Sequence, residues 1–243
     1  GKKVLVMVVP SRCMRETAEL LKECVAPGTY VISAAKGIED ETLFTMTDIL
    51  EQVLPQTDVA VLSGPSHAEE VAKLLPTTCV IGAHTEETAR FLQELFMGPM
   101  FRVYISSDML GIELGGALKN VIALAAGIAD GMGYGDNAKA ALITRGSVEI
   151  GRLGIRMGGK PETFFGLTGI GDLIVTCASM HSRNRRAGIL LGQGKSVGQA
   201  LAETGGVVEG YYAAASMHQL AEKTGFSEED ADTVKECLRT LFV

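Results

Sequence analysis

The chain has 243 residues, 47% of them hydrophobic and 21% charged, with a formal net charge of −7. That length and composition suit one large or two small domains with a proper core, and exclude a disordered chain. The acidic balance excludes a nucleic-acid binder that relies on general electrostatics.

The first hundred residues alternate short apolar runs with amphipathic segments. Val4–Val9 reads as a buried strand, after which Ser11 caps a helix running to about Cys24. Further strands are predicted at Tyr30–Ala34, Val59–Leu62, Cys79–Gly82 and Phe101–Ile105, with helices over about Leu43–Leu54 and over Glu86–Phe96. Continuous apolar strands separated by helices imply a largely parallel sheet covered on both faces. After about Ser106 the strand signal vanishes. Helices follow over Gly111–Ala129 and Asn137–Leu153, then a Gly-rich connector through Gly159 and shorter helices to the end. The change of period predicts a boundary there, dividing the chain into residues 1–106 and 107–243. The longest apolar run, Val121 to Ala129, reads as too short to span a bilayer, no signal peptide is read, and a cytoplasmic protein is expected.

Five scattered cysteines without a CxxC point to a reducing compartment with no disulfide framework. Four histidines without HExxH or HxH spacing predict no metal site, and His67 and His84 read as surface or cap residues. No GxGxxG follows a strand. Gly131 to Gly135 reads as a helix-ending loop, and Gly192-Gln193-Gly194-Lys195-Ser196 only imitates the end of a phosphate-binding loop, since a helix precedes it.

Three polar segments interrupt apolar stretches: Gly115 to Asn120, Gly169 to Leu173, and Ser182 to Arg186. An unpaired buried ammonium is costly, so Lys119 in mid-helix, beside Asn120, favours a functional lysine over one that snorkels at an interface. Gly115 and Gly116 thin the helix there and admit another backbone or a ligand. Asp172 is either an N-cap or a site acid. Arg183 with Asn184 offers a planar fork and an amide suited to a phosphate, while Arg185 and Arg186 read as a solvated basic face. Lys36, past the end of a strand, is either an exposed turn lysine or a ligand contact. Ser66 is read as the N-cap of the next helix, with Glu69 completing a capping box, and a phosphate or ribose near those amides is the functional addition.

Together these segments resemble the bacterial type of NAD(P)-dependent glycerol-3-phosphate dehydrogenase. The resemblance is carried in order by Val9-Pro10-Ser11, Ala35-Lys36-Gly37, Ser63 to Ser66, Phe101 to Tyr104, Gly115 to Asn120, Gly127 to Gly135, Ala141 to Gly146, Gly169 to Cys177, Ser182 to Arg186 and Val207 to Tyr211. It implies an α/β fold: an incomplete Rossmann-like parallel sheet, the C-terminal portion of a dinucleotide-binding domain in residues 1–106, followed by an all-helical substrate and catalytic domain. It also implies reversible hydride transfer between NAD or NADP and the C2 carbon of dihydroxyacetone phosphate, feeding glycerophospholipid synthesis. By position Lys119 is the catalytic lysine, supported by Lys36, Asp172 and Asn120. Lys36, Gly64, Ser66, Lys119, Asp172, Ser182, Arg183 and Asn184 contact the substrate. Lys36, Ala68, Arg183, Val207 and Glu209 contact the dinucleotide. The expected partner is a small phosphorylated substrate, with no nucleic acid and no membrane; a homodimer is left open. The family opens with a glycine-rich βαβ unit, and this chain is expected to begin after it; the stretch Phe226–Val243 matches only loosely. The alternatives are a 6-phosphogluconate or 3-hydroxyacid dehydrogenase of the same architecture, or a truncated, non-catalytic fragment keeping only a phosphate site.

Overall fold

The computed structural model describes residues 3–225. Five strands, β1 (Val4–Met7), β2 (Tyr30–Ser33), β3 (Asp58–Ser63), β4 (Thr77–Ala83) and β5 (Phe101–Ser106), form one sheet in the order β1-β2-β3-β4-β5. Helices α1 (Met14–Leu21), α2 (Met46–Val53) and α4 (Glu86–Phe96) link the parallel neighbours. One pairing departs from the parallel expectation: β3 and β4 run antiparallel. Only a four-residue helix, α3 (Ala68–Val71), lies between them, so the chain turns back instead of crossing over the sheet.

Side chains alternate between the two faces, as the period of two requires. Val31, Val59 and Val61 pack against Met14, Met46, Ile49 and Leu50 on one face. Ile32 and Ala60 join Ile81, Leu92 and Val103 on the other. Each of these buried side chains larger than alanine contributes about 1.5–3 kcal/mol. The helix predicted from Leu43 starts later, at Met46, because Thr45 and Asp48 form a capping box there.

The helical half is built around α5 (Met109–Gly131), whose residues from Gly111 to Ala129 are all buried. The whole of α5 is long and apolar enough to cross a membrane, beyond what its longest apolar run suggests, but it is the buried core helix of this protein. It packs against α6 (Gly135–Arg156), α8 (Asp172–Ala178), α9 (Arg183–Gly192) and α11 (Glu209–Lys223); α7 (Pro161–Phe164), a π turn at Leu167–Gly171 and α10 (Val197–Thr204) complete the order. The α5–α9 crossing is very close. A Cβ at Gly127 would run into the Arg185 carbonyl, and one at Gly188 into the Leu124 carbonyl. Gly131 ends α5 and Gly135 opens α6, as a helix-ending loop should. Gly192 to Ser196 starts at the last residue of α9 and leads into α10, which Ser196 caps, so it is no phosphate loop. Helix beyond Gly225 and Cys237 lie outside the described residues.

Candidate active site

Lys119 projects from the centre of α5, where Gly115 and Gly116 keep the helix surface low. A Cβ at Gly115 would lie 2.9 Å from the Thr168 carbonyl, and one at Gly116 would lie 3.1 Å from Ser63 Oγ and 3.5 Å from the Lys36 stem. The thinned helix thus admits both the π turn and Lys36. Asp172, the first residue of α8, sits beneath them. It is no N-cap. Its carboxylate takes an ion pair from Lys119 and another from Lys36, whose Nζ lies 2.5 Å from Oδ2. Lys36 Nζ also donates to the Gly64 carbonyl at 3.0 Å. Thr176, one turn along α8, accepts from Lys119 Nζ at 2.6 Å and donates to the Asp172 carbonyl at 2.6 Å.

The three charged groups are sheltered unequally: Lys119 and Asp172 side chains are 6% and 2% exposed, Lys36 21%. Burial pushes the Lys119 ammonium down to about 7; Asp172 opposes that shift and the nearby Lys36 adds to it. Burial alone would push the Asp172 carboxyl up, but Lys119 and Lys36 outweigh it and hold the carboxyl below its ordinary value. Lys119 therefore does not snorkel. Cys177, on α8 with Asp172, is buried and its thiol is pushed up to about 12 by desolvation, so it carries no nucleophile.

This cluster lines one cavity of about 560 Å³, within the usual range for small-molecule sites. Lys36, Ser66, Ala68, Lys119 and Asn120 reach it from the first half of the chain and α5. Ser182, Arg183, Asn184, Val207 and Glu209 reach it from the other side. Gly64 and Asp172 lie just behind, bound to Lys36. Gly64 holds a φ of +143°, a conformation only glycine adopts readily. Asn120 Oδ1 accepts from Asn184 Nδ2 at 2.9 Å, and Asn184 Oδ1 accepts from the Gly210 amide at 2.8 Å, so the two amides tie α5, α9 and α11 together.

Several local expectations are corrected. Ser11 caps no helix: its hydroxyl and amide donate to Glu209 at 2.6 and 3.1 Å, because a short 3₁₀ turn precedes α1. Ser66 forms no capping box with Glu69. Its hydroxyl donates to the Gly64 carbonyl, and His67 holds the N-cap position without a side-chain cap bond. Arg185 and Arg186 are no solvated face. Arg185 clamps Asp130 at 2.8 Å, and Arg186 lines the cavity. The reading of His84 and His67 as surface or cap residues holds: His84 is a surface residue paired with Glu51, and His67, at the N-cap position of α3, is also half-buried on the cavity wall near His181, with burial pushing its imidazole down. Sequence reasoning gives His67 and His181 no site role, adjacency to Ser66 and Ser182 being the available signal; Thr176, one helical turn beyond Asp172, links Lys119 to the Asp172 carbonyl.

Sequence comparison decides the family. The profile of the NAD-dependent glycerol-3-phosphate dehydrogenase C-terminus matches residues 108–240, and that of the N-terminus matches residues 1–89. The chain belongs to the NAD-dependent glycerol-3-phosphate dehydrogenase family. A relative from Fusobacterium nucleatum, named glycerol-3-phosphate dehydrogenase (NAD(P)+), is 61% identical over 92% of this chain and 67% of its own length. One of the same name from Agathobacter rectalis is 60% identical over 90% and 66%. The crystal structure of glycerol-3-phosphate dehydrogenase from Coxiella burnetii superposes with a TM-score of 0.93 at 38% identity, covering 99% of this chain and 73% of that one. The chain thus spans about two thirds of the length of these curated relatives. These matches support a glycerol-3-phosphate dehydrogenase over the other dehydrogenases and over a non-catalytic fragment.

Proposed function

We propose that this protein interconverts sn-glycerol 3-phosphate and dihydroxyacetone phosphate with NAD or NADP. The observation that carries the reading is a buried lysine at a cavity wall, held by Asp172, whose proton affinity lies near neutral pH. Family membership supplies the reaction class.

The residues fit the dinucleotide's reactive end. Val9, Pro10 and Ala35, past the carboxyl ends of β1 and β2, give the cavity an apolar wall suited to a nicotinamide, and Arg183 brings a guanidinium suited to phosphate. When bound, the cofactor supplies or accepts the hydride at C2. Lys119 Nζ gives a proton to the carbonyl oxygen as it becomes an alkoxide, and takes it back in the oxidative direction. A proton affinity near neutral suits both directions. Asp172 and Thr176 fix the direction of the Lys119 ammonium, while Lys36 adds positive potential where the alkoxide develops. Asn120 and Asn184 form a rigid amide pair on the wall. Ser66, Ser182, Arg183 and Asn184 hold the substrate, Gly64 contributes from behind the wall through its carbonyl bond to Lys36, and phosphate binding remote from C2 helps position the substrate. Lys36, Ala68, Arg183, Val207 and Glu209 hold the cofactor. On this reading residues 1–106 belong to the cofactor domain and 107–243 to the substrate domain. A cytoplasmic location and a homodimer belong to the same proposal.

The test is oxidation of NADH and of NADPH by the purified protein with dihydroxyacetone phosphate, against dihydroxyacetone and 6-phosphogluconate controls. Turnover dependent on dihydroxyacetone phosphate is expected. A protein that turns over only another substrate overturns the assignment.

A further inference from the structure

Helix α9 opens with Arg183-Asn184-Arg185-Arg186 and has no acidic residue in its first turn. Guanidinium groups at this end oppose the helix macrodipole, so helix stability does not account for the run. Arg185 has a separate explanation. Its Nε and Nη2 clamp Asp130 at 2.9 and 2.8 Å, and Nη1 donates to the Ala178 carbonyl at 2.6 Å. Among the described residues no ion pair joins Arg183 or Arg186 to a carboxylate, whereas Arg15 pairs with Glu39 and Arg90 with Glu86. Both line the cavity that holds Lys119.

Arg186 is the less expected of the two. Its Nη2 donates to the Thr204 carbonyl at 3.2 Å, which fixes the guanidinium beside the segment leading to Val207 and Glu209. Its Nε is buried without an acceptor among the described residues. A sheltered N–H left unpaired is costly, and its persistence calls for a reason. The charge on the cavity wall supplies one. Lys36, Lys119, Arg183 and Arg186 face Glu69 and Glu209, and Glu209 is already engaged by Ser11. Asp172, behind the wall, is shared between the two lysines.

We propose that Arg186 joins Arg183 as a guanidinium pair that binds a phosphate group entering this cavity. Planar N–H forks match phosphate oxygens, and two guanidinium groups on one short helical segment, neither paired with a carboxylate among the described residues, match two anionic charges. The phosphate belongs either to the substrate, a phosphomonoester, or to the dinucleotide pyrophosphate. Only that identity rests on the function proposed above. The anion site itself does not.

Inorganic phosphate, inorganic pyrophosphate, glycerol 3-phosphate and NADH are titrated calorimetrically into the wild-type protein and into Arg186→Met and Arg186→Lys. Loss of a charged hydrogen-bond partner weakens binding by roughly 10- to 100-fold, so Arg186→Met should lose that much, with Arg186→Lys recovering part of it. Weakened NADH with unchanged glycerol 3-phosphate assigns the site to the cofactor; the converse assigns it to the substrate. Unchanged constants for all four probes in a variant that melts like wild type overturn the proposal. A second measurement needs no variant. Phenylglyoxal labelling of Arg186 in the wild-type protein, read by mass spectrometry, should fall when glycerol 3-phosphate or NADH is present, and equal labelling with both overturns the proposal. Turnover of dihydroxyacetone phosphate by wild type is measured in parallel. Its failure sinks the proposed reaction while leaving the phosphate and pyrophosphate arms to decide the anion site.

Discussion

Asp172→Asn keeps the shape of the site and removes the one carboxylate that two lysines share. The cost depends on how each lysine can respond. Lys119 is buried and its folded pKa is about 7, depressed from the ordinary value near 10.5. A depressed ammonium contributes stability that is complete above its unfolded pKa and is lost as pH falls through the folded one. In the variant that folded pKa drops further. Wild type and variant therefore share the same slope above about pH 7, and the variant keeps losing stability below it. At pH 6, discharging Lys119 costs a little over ~1 kcal/mol, the equivalent of one pKa unit, which caps its share. Lys36 loses a charge-assisted bond of 2.5 Å but is 21% exposed and can turn to water, so its share is about 1.5 kcal/mol, at the low end for such bonds. The expected deficit is then about 3 kcal/mol at pH 6 and about half that at pH 8, at the lower edge of what breaking a buried pair usually costs. For a chain of this size the melting temperature at pH 6 falls by roughly 6–12 °C. Urea unfolding at both pH values measures the deficit, and adding Lys119→Met should return most of the pH 6 excess. A deficit equal at the two pH values, or larger at pH 8, would refute the account of Lys119.

Lys119→Met should cut dihydroxyacetone phosphate reduction by ~10²–10⁴-fold while the protein still melts cooperatively; near-normal turnover would remove Lys119 from the chemistry. Arg183→Lys should raise KM for dihydroxyacetone phosphate much more than for dihydroxyacetone, because a lysine keeps the charge but loses the fork; equal effects on both would mean that Arg183 anchors no phosphate. Gly127→Val must push α9 away from α5, since its Cβ meets the Arg185 carbonyl, and a loss of about 1–3 kcal/mol or more is expected in thermal melts. Glu113 is buried on α5, accepts from the Thr47 amide at 2.9 Å, and is pushed up to about 7 by desolvation. Its contribution is complete below its ordinary pKa and lost as pH rises through about 7, roughly 3 kcal/mol in all, so Glu113→Gln should flatten the decline in urea midpoint between pH 5 and pH 8.

Much of this was legible in the sequence, for reasons that are local. The strands show because apolar runs of four to seven residues carry their own signal, and the helix expected over Glu86–Phe96 matches α4 residue for residue; in the structure Thr85 caps it. The reversal of β4 was not legible. Strand direction is set by the length and path of the connection, and a four-residue helix leaves little trace in composition. Cap assignments failed where a hydroxyl had a distant competitor. Nothing near Ser11 signals that Glu209, 198 residues away, will take its hydroxyl.

The same distinction separates the parts of the site. Lys119 was visible because a lysine in an apolar helix is improbable without a partner, whatever the partner is. The partner's identity depends on Lys36 and Asp172, 136 residues apart, meeting in space. Asp172 alone reads equally as an N-cap, because a helix start and a counter-ion both call for a carboxylate there. Only the tertiary fold chooses, and here it chooses the counter-ion: two ammonium groups within hydrogen-bond reach of a buried carboxylate outcompete any backbone N–H that an N-cap would satisfy. Arg185 and Arg186 make the complementary case. Neighbours in sequence, they look alike as a basic run, yet successive helical residues point about 100° apart. One turns to Asp130 and the other to the cavity, and that divergence is why a basic run can hold a structural clamp and a ligand contact side by side.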